Sequence, residues 1–113
     1  MRVNGQLTMG ENIGDLGGVQ MAYAAYRRHL GTATAPVLDG ITGEQRFFLA
    51  WAQAWRTLLR EDRLRSQLVT DPHSPPEYRV NGVVRNVDAW YEAFGVTAED
   101  ALFLPPEERV RIW

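Results

Sequence analysis

Apolar positions along this chain recur at helical spacing, not in the alternation of half-buried strands. Val19, Tyr23, Tyr26 and Leu30 follow one another by steps of four, three and four, which is one face of a helix. Upstream, Thr8-Met9-Gly10-Glu11 matches the capping-box pattern, so this helix is predicted to begin near Thr8 and to stop at Gly31. A second stripe of Phe48, Trp51, Trp55, Leu58 and Leu59 predicts a helix from about Glu44 to about Leu64. Arg46, Gln53, Arg56 and Arg60 fall mostly off that stripe, which reads as core packing. Between the two helices, GTATAPVLDGITG (31–43) reads as a loop. The stretch TDPHSPPEYRVNG (70–82) carries three prolines and an Asn-Gly, which argue against a long regular element. Asn86 is placed to cap a short helix from Val87 to Phe94, closed by Gly95. The tail ALFLPPEERVRIW suggests one last helical turn after Pro105 and Pro106 and ends at Trp113. No internal repeat or low-complexity tract interrupts this pattern. The predicted fold class is mainly α, with two Pro/Gly-rich loops.

Composition narrows what such a chain can do. With 113 residues it is one domain or a piece of one, and 45% hydrophobic residues are enough for a real core. It has no cysteine, which excludes disulfides, thiol nucleophiles and thiolate metal sites. Any metal here must therefore use His, Asp or Glu. The net charge of -2 argues against nucleic acid as a partner. Arginines crowd residues 56–65, but acids interleave with them. Every basic side chain is arginine, which a biased base composition of the source genome explains. No stretch approaches the roughly 18 apolar residues of a membrane span, and the N-terminus lacks the pattern of a signal peptide.

Two places carry candidate chemistry. In GENIGDLGG (10–18), Glu11 and Asp15 lie at i and i+4 and project from one helix face. Two like charges so placed cost a helix about 0.2–0.5 kcal/mol. Either they suit the first turn, with Glu11 closing the capping box, or a cation holds them. In the second case one carboxylate binds a metal and the other orients a histidine that also binds it. The other place is His73, between Asp71 and Arg79, in a proline-stiffened loop. His73 is either a surface residue or a positioned imidazole, with Asp71 fixing its orientation and favouring its charged form. With Arg79 it would then form a cationic site for an anion or a developing oxyanion. His29 follows Arg27 and Arg28 near a helix end and reads as structural.

GENIGDLGG resembles the ENIADLGG motif of the neprilysin and endothelin-converting-enzyme family of zinc metallopeptidases. NGQLTMGENIGDLGGVQMAYAAY, DPHSPPEYRVNGVVRNVDAWYEAFGV and LPPEERVRIW also resemble family segments, in family order. The resemblance implies a zinc endopeptidase of the thermolysin-like class that cuts peptides and small proteins. It implies that Glu11 is the third zinc ligand, after two histidines of an HExxH helix, and that Asp15 orients one of those histidines. It further implies that His73 stabilises the tetrahedral oxyanion, that Asp71 is its acidic partner, and that Arg79 binds a substrate carbonyl. Gly14 stands where alanine is usual. Val110 stands where animal cell-surface members carry cysteine, which points to a bacterial form.

This chain has no HExxH; its histidines are His29 and His73. The expectation is therefore residues 1–113 as a C-terminal, helical part of a zincin catalytic domain. Zinc would bind only in the complete enzyme, the partners being peptide substrates and the upstream HExxH part. Alone, the chain should neither cleave peptides nor hold zinc tightly, and its bared Glu11–Asp15 face and aromatic surface should drive association into a dimer or higher oligomer. Any targeting segment would lie upstream, so the compartment stays open. The rival expectation is a non-catalytic helical module that binds a peptide or an anion, in which Glu11→Gln would change almost nothing.

Overall fold

A computed structural model describes residues 2–112. The chain folds as helices α1 (Gly5–Leu30), α2 (Gly43–Ala54), α3 (Glu61–Thr70), α4 (Pro76–Val84) and α5 (Asp88–Phe94), with a 3₁₀ turn at Pro106–Glu108. Among the described residues there is no strand, only an isolated antiparallel bridge between Leu38 and Ile41 in the 31–43 loop. The mainly α class expected from the periodicity is the one that forms. No helix among these residues is long and apolar enough to cross a membrane.

Each helix end has a local cause, and several differ from the sequence expectation. α1 starts earlier than Thr8, because the Asn4 side chain accepts from the N–H groups of Gln6 and Leu7 at 3.1 and 3.2 Å. Thr8 then lies inside the helix and its hydroxyl donates to the Asn4 carbonyl at 3.0 Å. The capping box with Glu11 therefore does not form, and the Glu11 carboxylate is left for other partners. Gly31 ends α1 as expected, at a positive φ of 58° that few other residues adopt readily. α2 does have a capping box, between Thr42 and Gln45.

The helix expected to continue to Leu64 breaks instead after Ala54, and α3 begins anew at Glu61. Trp55 turns its ring onto the Arg79 guanidinium, 3.7 Å from the ring centre, and the Thr57 hydroxyl donates to the Trp55 carbonyl at 3.0 Å. That tertiary contact and local hydrogen bond compete with a continued helix. Leu58 consequently stands fully in solvent, off the apolar stripe. From within 70–82, where no long regular element was expected, the nine-residue α4 starts at Pro76. Pro76 sits in its first turn, where a missing N–H costs nothing. Val87 rather than Asn86 precedes α5, and no side chain caps that helix. Asn86 instead donates to the Gly82 carbonyl at 2.8 Å and accepts from the Val110 N–H at 2.7 Å, tying the tail to α4. Gly95 closes α5 in the left-handed conformation, as expected. Trp113 lies outside the described residues.

Leu16 and Val19 of α1, Phe48 of α2, Val83 and Val84 of α4, and Val87 form one buried cluster. Tyr23, Trp51 and Trp90 pack around it. This core joins α1, α2, α4 and α5; α3 buries none of its residues. The tail is clasped by Arg109, whose guanidinium lies 3.5 Å from the centre of the Tyr91 ring and donates to Asp88 and to the Leu104 carbonyl. The radius of gyration is 15.4 Å, against about 13 Å for a compact chain of this length. The accessible surface is 7930 Å², against roughly 6,300 Å² for a folded monomer of this mass. Met9, Ile13 and Met21 on α1 contribute to the excess apolar exposure.

Candidate active site

α1 carries Glu11 and Asp15 one turn apart, and the 71–75 loop with the start of α4 folds across them. Asp71 shapes that loop. Its Oδ1 accepts the His73 backbone N–H at 2.9 Å, an Asx turn, and lies 2.7 Å from His73 Nδ1. The His73 backbone N–H, and then its ring, hold the Asp71 carboxyl below the ordinary carboxylate range. The ring is thereby oriented with Nε2 toward α1, 3.3 Å from Glu11 Oε2. In its protonated form the imidazole can donate to both carboxylates at once. His73 and Glu11 are both about half exposed, so this end of the site opens to solvent.

The other end is closed. Arg79, in the first turns of α4, pairs with Asp15 in bidentate fashion: Nε donates to Oδ2 at 2.6 Å and Nη2 to Oδ1 at 2.8 Å. Only 15% and 11% of the two side chains remain exposed. The Asp15 hydrogen bonds raise the Arg79 pKa against the opposing effect of burial, so the guanidinium is a permanent charge. Trp55 covers its face, and Trp51 Nε1 donates to the Arg79 carbonyl at 3.2 Å. Among the described residues, Arg79 Nη1 donates to no protein group. Trp55, Leu59, Gln67, His73 and Arg79 line an open groove of about 380 Å³.

The fold thus brings together all five residues singled out in the sequence: Glu11, Asp15, Asp71, His73 and Arg79. His29 stays apart, exposed near the end of α1. Sequence reasoning did not single out Trp55 as a cover for Arg79, nor the pair Asn12 and Ser74. Ser74 Oγ donates to Asn12 Oδ1 at 2.8 Å. The available signal was register, since Asn12 follows Glu11 and Ser74 follows His73 directly. No group of three His, Cys, Asp or Glu side chains among the described residues is arranged so that it could hold a metal ion. Glu11 fits a metal as one half-exposed carboxylate donor, and a catalytic zinc needs about three protein ligands. The chain by itself does not fit a complete zinc site.

The model of Peptidase family M13 matches residues 1–110. This chain belongs to peptidase family M13. It is 38% identical to Neprilysin-1 of Caenorhabditis elegans across 100% of its own length and 15% of that protein's. Its identity to endothelin-converting enzyme 1 of Bos taurus is 36%, covering 98% of this chain and 15% of that protein. Similarity in three dimensions extends to a bacterial protein. The crystal structure of Mycobacterium tuberculosis zinc metalloprotease Zmp1 in complex with an inhibitor superposes with a TM-score of 0.97 at 60% identity, over 99% of this chain and 17% of that one. The open state of Zmp1 gives 0.96 at the same identity. The helical arrangement is therefore that of a bacterial M13 zinc metalloprotease. This M13 chain spans 15% of each of the two curated relatives.

Proposed function

We propose that this M13 chain is the C-terminal segment of a zinc metalloendopeptidase that hydrolyses peptides, and that it supplies one side of the active site. On this reading Glu11 is a zinc ligand. Asp15 orients a ligand histidine contributed by the upstream HExxH part. His73, held by Asp71, and Arg79, held by Asp15, donate to the scissile carbonyl oxygen as it becomes an oxyanion. The observation that carries the reading is the convergence of the half-exposed Glu11 and His73 with the buried Asp15–Arg79 pair on one face of α1.

A zinc bound there would supply Lewis acidity and an activated water. The chain's own residues account for the remaining electrostatics. His73 presents Nε2 at the solvent edge while Asp71 fixes its ring from behind. Arg79 presents its unused Nη1 edge, and its charge is held by Asp15 so that little reorganisation accompanies the reaction. Asp15 can still accept from an imidazole N–H, since each carboxylate oxygen carries two lone pairs.

Alone, the chain neither binds zinc tightly nor cleaves peptides, and its exposed apolar residues favour self-association. Zinc titration and a peptide-cleavage assay on the isolated 113-residue chain, with light scattering for its size, test this part. One zinc per chain together with cleavage would defeat it, and a clean monomer would count against the association. In the complete enzyme, Glu11→Gln should abolish both zinc retention and hydrolysis. Retained hydrolysis would defeat the ligand role of Glu11, whereas peptide or anion binding unchanged by Glu11→Gln, with no hydrolysis in either form, would favour a binding module.

A further inference from the structure

Three polar contacts join α1 to the segment that carries the candidate oxyanion groups: Glu11 with His73, Asn12 with Ser74, and Asp15 with Arg79. The first and last use groups assigned to chemistry. The middle one does not, yet it is the buried contact of the loop. Ser74 is 2% exposed and Thr8 3%, and these are the buried polar side chains among the described residues. A buried hydroxyl is tolerated only when paired, and both are paired in one directional series. Ser74 Oγ donates to Asn12 Oδ1 at 2.8 Å, Asn12 Nδ2 donates to Thr8 Oγ1 at 3.2 Å, and Thr8 Oγ1 donates to the Asn4 carbonyl at 3.0 Å. Thr8 has already given its proton away, so the Asn12 amide can hold only one orientation, with its oxygen toward Ser74.

Among the described residues, the Asn12–Ser74 bond is the buried polar contact to α1 next to His73 itself, since the buried Asp15–Arg79 pair crosses six residues further along. The Asp71 contacts are internal to the loop, and Gln67, which donates to the His73 carbonyl at 3.3 Å, comes from α3, a helix that buries none of its residues. The Glu11–His73 contact joins two half-exposed side chains.

We propose that Asn12 and Ser74 are positioning residues for the M13 reaction. Their hydrogen bond fixes the His73 loop against the face that carries Glu11 and Asp15. The proposal rests on the oxyanion role given to His73 above.

The test uses the complete enzyme that contains this chain, with Ser74→Ala alone, His73→Ala alone, and the two combined. Ser74→Ala removes one oxygen atom and no volume elsewhere. A misplaced catalytic group loses rate steeply, so kcat should fall by about tenfold while KM and zinc content hold within about twofold. Affinity for a phosphinic peptide, which mimics the tetrahedral intermediate, should fall in the same proportion, while affinity for the uncleaved product peptide should not. In the His73→Ala background, Ser74→Ala should have no further effect. An unchanged kcat in Ser74→Ala overturns the proposal. So does a loss repeated in full without His73, which is what mere destabilisation would give. Asn12→Ala provides the second arm, with the same dependence on His73 expected. If His73→Ala by itself leaves kcat intact, the catalytic reading of His73 is what fails, and the result is visible without reference to Ser74.

Discussion

The Arg79–Asp15 pair joins stability to the candidate chemistry, and a double-mutant cycle measures how strongly. Both side chains are mostly buried, at 15% and 11% exposed, and the geometry is bidentate at 2.6 and 2.8 Å. Removing one partner of such a pair strands a desolvated charge, which costs about 3–5 kcal/mol in fully buried cases. Here the remaining exposure reduces this to about 2–4 kcal/mol for Arg79→Ala or Asp15→Ala. Arg79→Ala also loses the stack on Trp55, worth about 0.5–2 kcal/mol, but that loss sits on one limb of the cycle and cancels from the coupling. The double variant should therefore be no worse than Arg79→Ala within about 0.5 kcal/mol, so the coupling equals the Asp15→Ala loss, about 2–4 kcal/mol. Urea unfolding followed by tryptophan fluorescence reports directly, since Trp55 lies under the guanidinium. Repeating it at several chain concentrations separates self-association from unfolding. The coupling should persist in 1 M salt, because buried pairs are weakly screened. A coupling under about 0.5 kcal/mol would show that solvent dominates the pair and would refute the reasoning.

Gly14 lies within α1, and a methyl group added there would meet nothing within 4 Å, so Gly14→Ala should raise stability by about 0.5–1 kcal/mol in the same urea assay. Gly43 is the opposite case: an added Cβ would lie 2.5 Å from Ala35 Cβ and closer still to the Tyr26 hydroxyl. Gly43→Ala should lower stability by about 1–3 kcal/mol, read as a drop in the urea midpoint. Hydrogen bonds first from Arg111 and then from Arg109 hold the Asp88 carboxyl below its ordinary range. That contribution is present above the ordinary carboxylate value, near 4, and disappears as pH falls through the lowered folded value. Asp88 is about half exposed, so Asp88→Asn should cost about 1 kcal/mol or less at neutral pH. Melting temperatures from neutral pH to below pH 4 should show the gap between variant and parent close on the acid side.

What was legible in the sequence, and what was not, divides by the range of the forces involved. The stop of α1 at Gly31, the irregular 31–43 loop and the Gly95 closure were readable because each is fixed by backbone conformation within a few residues. The Phe48–Trp51 part of the aromatic stripe was readable because helical periodicity reports burial directly. The break after Ala54 was not, since Trp55 leaves the helix for a guanidinium 24 positions away in sequence. The start of α1 was misplaced because Thr8 satisfies a local cap pattern, while Asn4 holds the cap that forms. Of the site, the shared face of Glu11 and Asp15 follows from spacing alone. That His73 and Arg79 fold onto that face depends on α4 packing against α1, and α4 begins at a proline in a stretch where no long regular element was expected.

The division of the site into an open and a closed end has a physical logic. Asp15 and Arg79 pair with each other within this chain and Trp55 covers the guanidinium, so their geometry is set before anything else binds, although the buried Trp55 indole N–H has no partner among the described residues. Glu11 and His73 are half exposed, and their strongest contacts within the chain are the mutual one at 3.3 Å and the Asp71 clasp behind the ring. A carboxylate left uncapped on the helix, with its capping box given up to Asn4, is suited to a partner that this chain does not contain. The surplus surface, about 1,600 Å² beyond the scaling for this mass, is about twice the roughly 800 Å² that one partner contributes to a standard-size protein interface. It includes Met9 and Ile13 of α1, which stand two positions either side of Glu11 and therefore on the opposite side of that helix. α1 thus offers a half-exposed carboxylate on one side and uncovered apolar area on the other. Covering the apolar side and completing the site are therefore separate demands on whatever packs against this helix.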